Sequence, residues 1–493
     1  MTKRCGALLL LLLAYGVGFA EPAPSSWAIT NVRVVDTRTG TVGQPVDVEL
    51  AGGRISAIRP AGSSPQAMKK HDGTGRFVVP GYWDMHVHVN GNDAEKWMLP
   101  MFAVAGVTGV RDMNGDCFWA SDCSESMVSM RSLQRRLESG EVLGPRLLAI
   151  ASAQVVGPRG LGDDAPSWSA PGNAADARRM VHESQKRGAD FIKPYTSIPR
   201  EAYFELLRAA SASGLRLSGH VPMSVNVVEA AEGGQLSIEH AVTPALDCST
   251  YSDGLHERYA RWAARESEEG NERGYYPKVL ASFDSARCDK IISRIAKTRV
   301  WYVPTLLTRR FEARSDEKAF REDPRLRLVP TDVRTYWTDD ADSQAKLFKE
   351  KPEQKRAYVD FYELGVRLTG KMHAAGVPIL VGTDALDSYS FPGSGFHDEM
   401  LELRKAGLSN AAILRAATLS AAEYLGREAE FGTVEPGKAA DLVILNADPV
   451  QNIENAAKIE AVVLNGRLLA RAERQRIEAD VARFAAKLKA TAE

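Results

Sequence analysis

The chain has 493 residues, 44% of them apolar and 25% charged, a composition that belongs to folded globular proteins and excludes a disordered chain. That length exceeds one small domain and leaves room for a large α/β barrel plus a smaller unit. The formal net charge of −1 supplies no basic field, so nucleic acid and acidic membrane surfaces are not expected partners.

Residues 1–20 read as a secretory signal peptide, with a basic start, "MTKRCG", an apolar run, "ALLLLLLAYGVGFA", and a small-x-small site at Gly18-Phe19-Ala20. The run is short for a membrane anchor. Cleavage near Ala20 leaves a mature chain from Glu21 that has no membrane span. Its 62 basic residues fall to 60 with the loss of Lys3 and Arg4, against 63 acidic ones. A secreted or periplasmic location is therefore expected, the periplasm if the chain is bacterial. Export also changes how the cysteines read. Cys117, Cys123, Cys248 and Cys288 remain, an even number in an oxidising compartment, and the expected disulfides are Cys117–Cys123 and Cys248–Cys288.

Residues 21–79 carry short β-rich runs broken by "RTGTVGQ" and "AGGR", and the same texture returns at 427–470 in "GTVEPGKAADLVIL" and "AVVLNGRLLAR". These segments predict one small β-sandwich domain built from both ends of the chain. Between them, at 80–426, eight apolar runs alternate with helical stretches. The first contains "YWDMHVHV", and the others lie at 108–113, 146–150, 190–195, 215–221, 236–241, 300–306 and 377–385. Parallel strands alternating with helices predict an α/β fold of the (β/α)₈ barrel kind. Long charged intervals at 246–285 and 308–357 read as insertions over the barrel mouth, hence as substrate loops. Residues 471–493 predict an amphipathic packing helix.

Residues two apart on a strand point the same way, so His86 and His88 project together from the end of the first barrel strand. Two imidazoles alone do not complete a metal shell. His220, His240 and Asp384 end the runs "LRLSGH", "LSIEH" and "ILVGTD", which brings all five groups to one rim, and their donor types suit zinc and similar divalent ions. Lys193 ends "DFIK". An exposed or salt-bridged lysine is the ordinary alternative, but burial beside cations would neutralise it, and a neutral amine adds carbon dioxide to give a carbamate with two bridging oxygens.

These residues resemble the amidohydrolase superfamily, in its binuclear-metal form with a carboxylated lysine. The resemblance rests on "DMHVH" (Asp84, His86, His88), "FIKPY" (Lys193), "SGH" (His220), "IEHA" (Glu239, His240), "VGTDA" (Asp384) and "GTVEPGKAADLVIL" at 432–445. Within it the chain is most similar to the imidazolonepropionase-related branch, which includes prolidase-like dipeptidases. The two long insertions depart from the common pattern. The resemblance implies that His86, His88 and Asp384 hold one ion, that His220 and His240 hold a second, and that carboxylated Lys193 bridges the two, with zinc the expected metal. It further implies attack on the substrate carbonyl by a metal-bridging hydroxide, with Asp384 taking its proton and passing it to the departing amine.

Tyr195 and Arg159 are candidate substrate contacts, as are Arg309 and Arg310, because guanidinium groups bind carboxylates bidentately. His397 and Glu399 open a helix, where support of the site competes with an ordinary solvated start; His71, His182, His256 and His373 carry no spacing signal. The expected function is hydrolysis of an amide bond in a small peptide or N-acyl amino acid. The same shell also suits lactones and phosphotriesters, and a mononuclear cyclic-amide hydrolase or deaminase would not need Lys193. A non-catalytic scaffold on the same fold is the alternative of a different class. A small molecule is the expected partner, and association of like chains stays open.

Overall fold

A computed structural model describes residues 26–89, 93–116, 126–160, 169–269 and 274–487. Residues 1–20, expected as a signal peptide, lie outside the described residues, as do Cys117 and Cys123 and with them the expected Cys117–Cys123 disulfide. Five strands precede the first histidine pair: β1 Ser26–Asp36, β2 Thr41–Ala51, β3 Arg54–Pro60, β4 Lys69–Asp72 and β5 Phe77–Pro80. The β2–β3 connection needs two residues with positive φ, supplied by Gly52 (56°) and Gly53 (74°), a geometry that costs glycine nothing.

Seven further strands follow: β6 Tyr82–Val87, β7 Val107–Asp112, β8 Arg146–Val155, β9 Phe191–Pro194, β10 Ser218–Gly219, β11 Ser237–Glu239 and β12 Trp301–Val303. The chain then returns to the first sheet with β13 Leu442–Leu445, β14 Ile459–Leu464 and β15 Arg467–Leu469. The terminal strands form one hydrogen-bonded sheet of order β15-β14-β13-β5-β1-β2-β3, with β4 beside β1. Trp27, Ile29, Val48 and Ile55 from the N-terminal side share its core with Leu442, Ile444, Ala461 and Val463 from the C-terminal side. Neither end could bury this apolar face alone, so both ends are required.

The middle strands are all parallel. β6 to β9 pair in chain order and so do β10 to β12. A parallel bridge between Ile192 and Leu217 joins the two groups. The eighth apolar run, 377–385, closes the circuit through bridges Tyr302–Ile379 and Val87–Ala385, giving a fold of the TIM-barrel type. That run was expected as a continuous strand. It pairs at isolated points instead, because Gly382 lets the chain press directly on the first strand: a Cβ there would lie 2.5 Å from Val303 Cγ1 and 2.8 Å from His86 Cβ.

Helices alternate with these strands and have clear stop and start chemistry. The Asn173 side chain accepts the amides of Ala175 and Asp176 at the start of Ala174–Arg187, and Gly188 closes that helix in the left-handed region. The expected C-terminal helix spans Arg471–Lys487, where Val481 and Ala485 are buried. Cys248 and Cys288 form the expected disulfide, with an S–S distance of 2.00 Å. Among the described residues no helix is long and apolar enough to cross a membrane.

Candidate metal centre and its cavity

Strand ends bring the sequence-predicted residues to one place. His86 Nε2 and His88 Nε2 lie 3.3 Å and 3.0 Å from Asp384 Oδ1, and His240 Nδ1 lies 3.5 Å from Asp384 Oδ2. One donor atom from each of His86, His240 and Asp384 falls within 4.8 Å of the others. The His220 ring is 4.3 Å from that of His240, and Lys193 Nζ is 3.3 Å from His86 Nε2. Three residues at this rim adopt left-handed backbone, His240 (φ 67°), Thr305 (41°) and Asp384 (60°). Such conformations cost a non-glycine residue on the order of 1–3 kcal/mol and persist where surrounding packing fixes them.

The donor set fits divalent cations by its own chemistry. His220 Nδ1 and His240 Nε2 are buried and have no hydrogen-bond partner. Burial, reinforced for His220 by Lys193 and for His240 by His220, holds both imidazoles well below their usual range, so they are neutral with lone pairs available. Burial likewise lowers the Lys193 ammonium to about 8. Asp384 is pushed up by burial, but His86 and its neighbours outweigh that and keep it ionised.

A second layer holds these groups in place, and most of it was not anticipated. Glu239 Oε2 lies 2.8 Å from His86 Nδ1, which fixes that ring. Burial raises the Glu239 carboxyl, yet the fully buried Arg111 pulls it down to about 2 through a bidentate contact of 2.9 and 3.0 Å. Arg111 also donates to the Met85 carbonyl (2.5 Å) and to the Tyr424 hydroxyl (2.7 Å). Asp84 accepts the Thr383 amide (3.0 Å) and hydroxyl (2.7 Å), tying the first strand to the segment that presents Asp384. Thr305 Oγ1 lies 2.8 Å from His240 Nδ1.

Glu399 corrects an expectation. It is not a solvated helix start; it is fully buried and accepts the amides of Leu306 (2.9 Å) and Leu307 (3.0 Å), capping the helix Leu306–Arg314. His397 lies 2.9 Å from the Ala105 carbonyl oxygen and serves packing.

Above the candidate ligands opens a cavity of about 720 Å³, within the range of small-molecule sites. Tyr195 stands in its wall as expected, with its ring 4.3 Å from that of His220. Both insertions contribute: Tyr259, Trp262 and Tyr275 come from the first, and Arg309 and Tyr336 from the second. Arg159 does not line the cavity. Its guanidinium is spent on Glu268 (2.8 and 2.9 Å) and on the Trp262 carbonyl (3.0 Å), so it braces the first insertion. Arg310 turns away to Asp398 and Glu402, both at 3.1 Å.

Comparison with known proteins agrees with this geometry. An adenine deaminase of Serratia proteamaculans (strain 568) is 24% identical over 228 residues, which is 45% of this chain and 36% of the deaminase, so the chain spans about a third of that relative's length. Among solved structures, the bottromycin amidohydrolase superimposes with a TM-score of 0.71 at 23% identity, covering 94% of this chain and 91% of that one. A protein assigned as a prolidase of Bifidobacterium longum superimposes at 0.61 with 22% identity, covering 93% and 100%. These structural likenesses describe the fold. Residues 77–469, most of the chain, match the amidohydrolase family model, and the chain belongs to the amidohydrolase family of hydrolases.

Proposed function

We propose that this chain is an exported, metal-dependent amidohydrolase that cleaves the amide bond of a small peptide or N-acyl amino acid. One observation carries the reading: four histidines, Lys193 and Asp384 meet at strand ends beneath a cavity of about 720 Å³. In this reading His86, His88 and Asp384 would hold one divalent ion and His220 and His240 a second, with Lys193, carboxylated by carbon dioxide, as a ligand common to both, and zinc the best match to the donors. When bound, such ions lower the pKa of water and polarise a carbonyl.

The chain's own residues supply the rest. Asp384 is ionised and can take a proton from the attacking water, then return it to the nitrogen of the departing amine. Glu239 and Arg111 keep His86 in one orientation throughout. The aromatic-lined cavity leaves room for a substrate of dipeptide size.

The likeness to a protein assigned as a prolidase and to the bottromycin amidohydrolase favours amides over lactones and phosphotriesters, and Lys193 beside His86 favours two ions over a mononuclear deaminase. The Cys248–Cys288 disulfide and the N-terminal apolar leader support export. We read the terminal sheet as the small β-sandwich domain (21–79 and 427–470), with the barrel at 80–426 between. The test is hydrolysis of dipeptide and N-acyl amino acid libraries, alongside lactones, before and after chelation. Amide hydrolysis abolished by chelator and restored by zinc is expected; lactone turnover alone would overturn the substrate class.

A further inference from the structure

Besides the candidate ligands and the Arg111-bound Glu239, two charged side chains line the cavity, Arg309 and Asp387. They differ in how their charge is answered. Arg309 donates to Glu312 (2.6 Å) and to the Tyr276 hydroxyl (3.1 Å), so its cation is already compensated. The Asp387 carboxylate accepts one amide, that of Ser388 (2.9 Å), and among the described residues pairs with no cation. The wall therefore carries one carboxyl group with no ion pair among the described residues; burial and Asp384 push it up to about 7, and Arg309 acts against them.

The position of that carboxyl group is set by a tight turn. The Asp387 amide donates to the Asp384 carbonyl at 2.6 Å, and a turn of this kind brings the first and fourth α-carbons within about 7 Å. Asp387 thus stands beside the group that handles the reacting proton. An α-ammonium lies two bonds from the carbonyl carbon of its own residue, so a group that binds it belongs beside the group that serves that carbonyl, whereas a lysine side-chain ammonium extends four methylenes further. Tyr195 and Tyr336 share the wall, and aromatic faces accept cations.

We propose that Asp387 binds the α-ammonium of an unblocked peptide, so that this site takes peptides with a free N-terminus in preference to N-acyl amino acids. This rests on the amide-hydrolase reading above and narrows its substrate class. A carboxylate placed to bind an ammonium discriminates strongly against a substrate lacking one, because its partner is then missing in a desolvated site.

The measurement compares kcat/KM of the metal-loaded full chain for alanyl-phenylalanine and for propionyl-phenylalanine, which differ only in the ammonium. Wild type should prefer the alanyl substrate by roughly 100-fold, from the usual strength of a charge-assisted contact. Asp387→Asn should collapse that ratio towards one, and Asp387→Glu should recover part of it. Equal wild-type rates on the two substrates would overturn the proposal without reference to any variant, and would leave amide hydrolysis standing. Propionyl-lysine separates the sources of the cation: a ratio to propionyl-phenylalanine that matches the alanyl preference, and is lost in Asp387→Asn, would assign Asp387 to a side-chain ammonium and overturn the α-ammonium assignment. Hydrolysis of none of the three, with lactones still cleaved, would instead mark failure of the amide-hydrolase reading itself.

Discussion

The floor of the cavity is made by strand ends and its walls by two insertions, and the two are held by different means. On the floor, His86, Lys193 and Glu239 are buried and linked in a chain of contacts, Lys193 to His86 to Glu239, which Arg111 of β7 continues to Tyr424. The walls are more open to solvent: Tyr336, which lines the cavity, is 61% exposed. They are fixed by a few discrete ties: the Cys248–Cys288 disulfide, Arg159 on Glu268, His256 on Asp247, and Trp337 donating to the Leu386 carbonyl (3.3 Å). The contrast separates chemistry from selection. Changes in the floor should abolish activity, and changes in the walls should retune or loosen it.

The largest effect belongs to the floor. Asp384→Ala removes both a candidate ligand and the proposed proton carrier, and should lower kcat/KM by about four orders of magnitude, the upper range for a general acid–base group. Steady-state kinetics checks this, and retention of activity within tenfold would remove Asp384 from the chemistry. Next comes Arg111→Met, which strands the Glu239 carboxylate without its cation and should destabilise the fold by about 3–5 kcal/mol in denaturant unfolding.

The walls give smaller effects. The disulfide closes a 40-residue separation that contains the helices Ser252–Ala263 and Tyr276–Ala281. Replacing both Cys248 and Cys288 by Ser should cost about 2–4 kcal/mol of stability while metal content is retained. The smallest effect is a pH dependence. His256 has both ring nitrogens against acceptors, Asp247 Oδ1 (2.6 Å) and the Met223 carbonyl (2.8 Å). Burial lowers its pKa, but Asp247, Met223 and Asp253 outweigh this and raise it. A raised folded-state pKa means that the stabilisation is complete below the unfolded histidine value and is lost as pH rises through the folded value. The stability difference between wild type and His256→Gln should therefore shrink between pH 6 and pH 9; a difference that grows with pH would reverse the assignment.

The same contrast decides what could be read from sequence. Each floor histidine ends an apolar run at barrel spacing, so strand periodicity and residue type locate it without reference to the rest of the chain. The terminal sheet was legible for a similar reason, since its β texture appears at both ends. Arg111 was not legible: within "TGVRDM" it looks like any surface charge, and its partner Glu239 lies 128 residues away. Glu399 hid likewise, because a carboxylate near a helix start is normally solvated, and nothing local shows that another helix begins on it. Arg159 was expected to bind a substrate carboxylate bidentately; the carboxylate it grips is Glu268, which the insertion brings to it from 109 residues away. Asp387 was missed because a single aspartate in a turn carries no periodic signal.

The central claim is that the floor is a two-ion cage bridged by Lys193, and metal analysis of natively purified protein tests it most directly. Two equivalents of divalent metal per chain in wild type, falling in Lys193→Ala while the fold is retained, is the predicted result. One equivalent that the substitution leaves unchanged, or none, would contradict it.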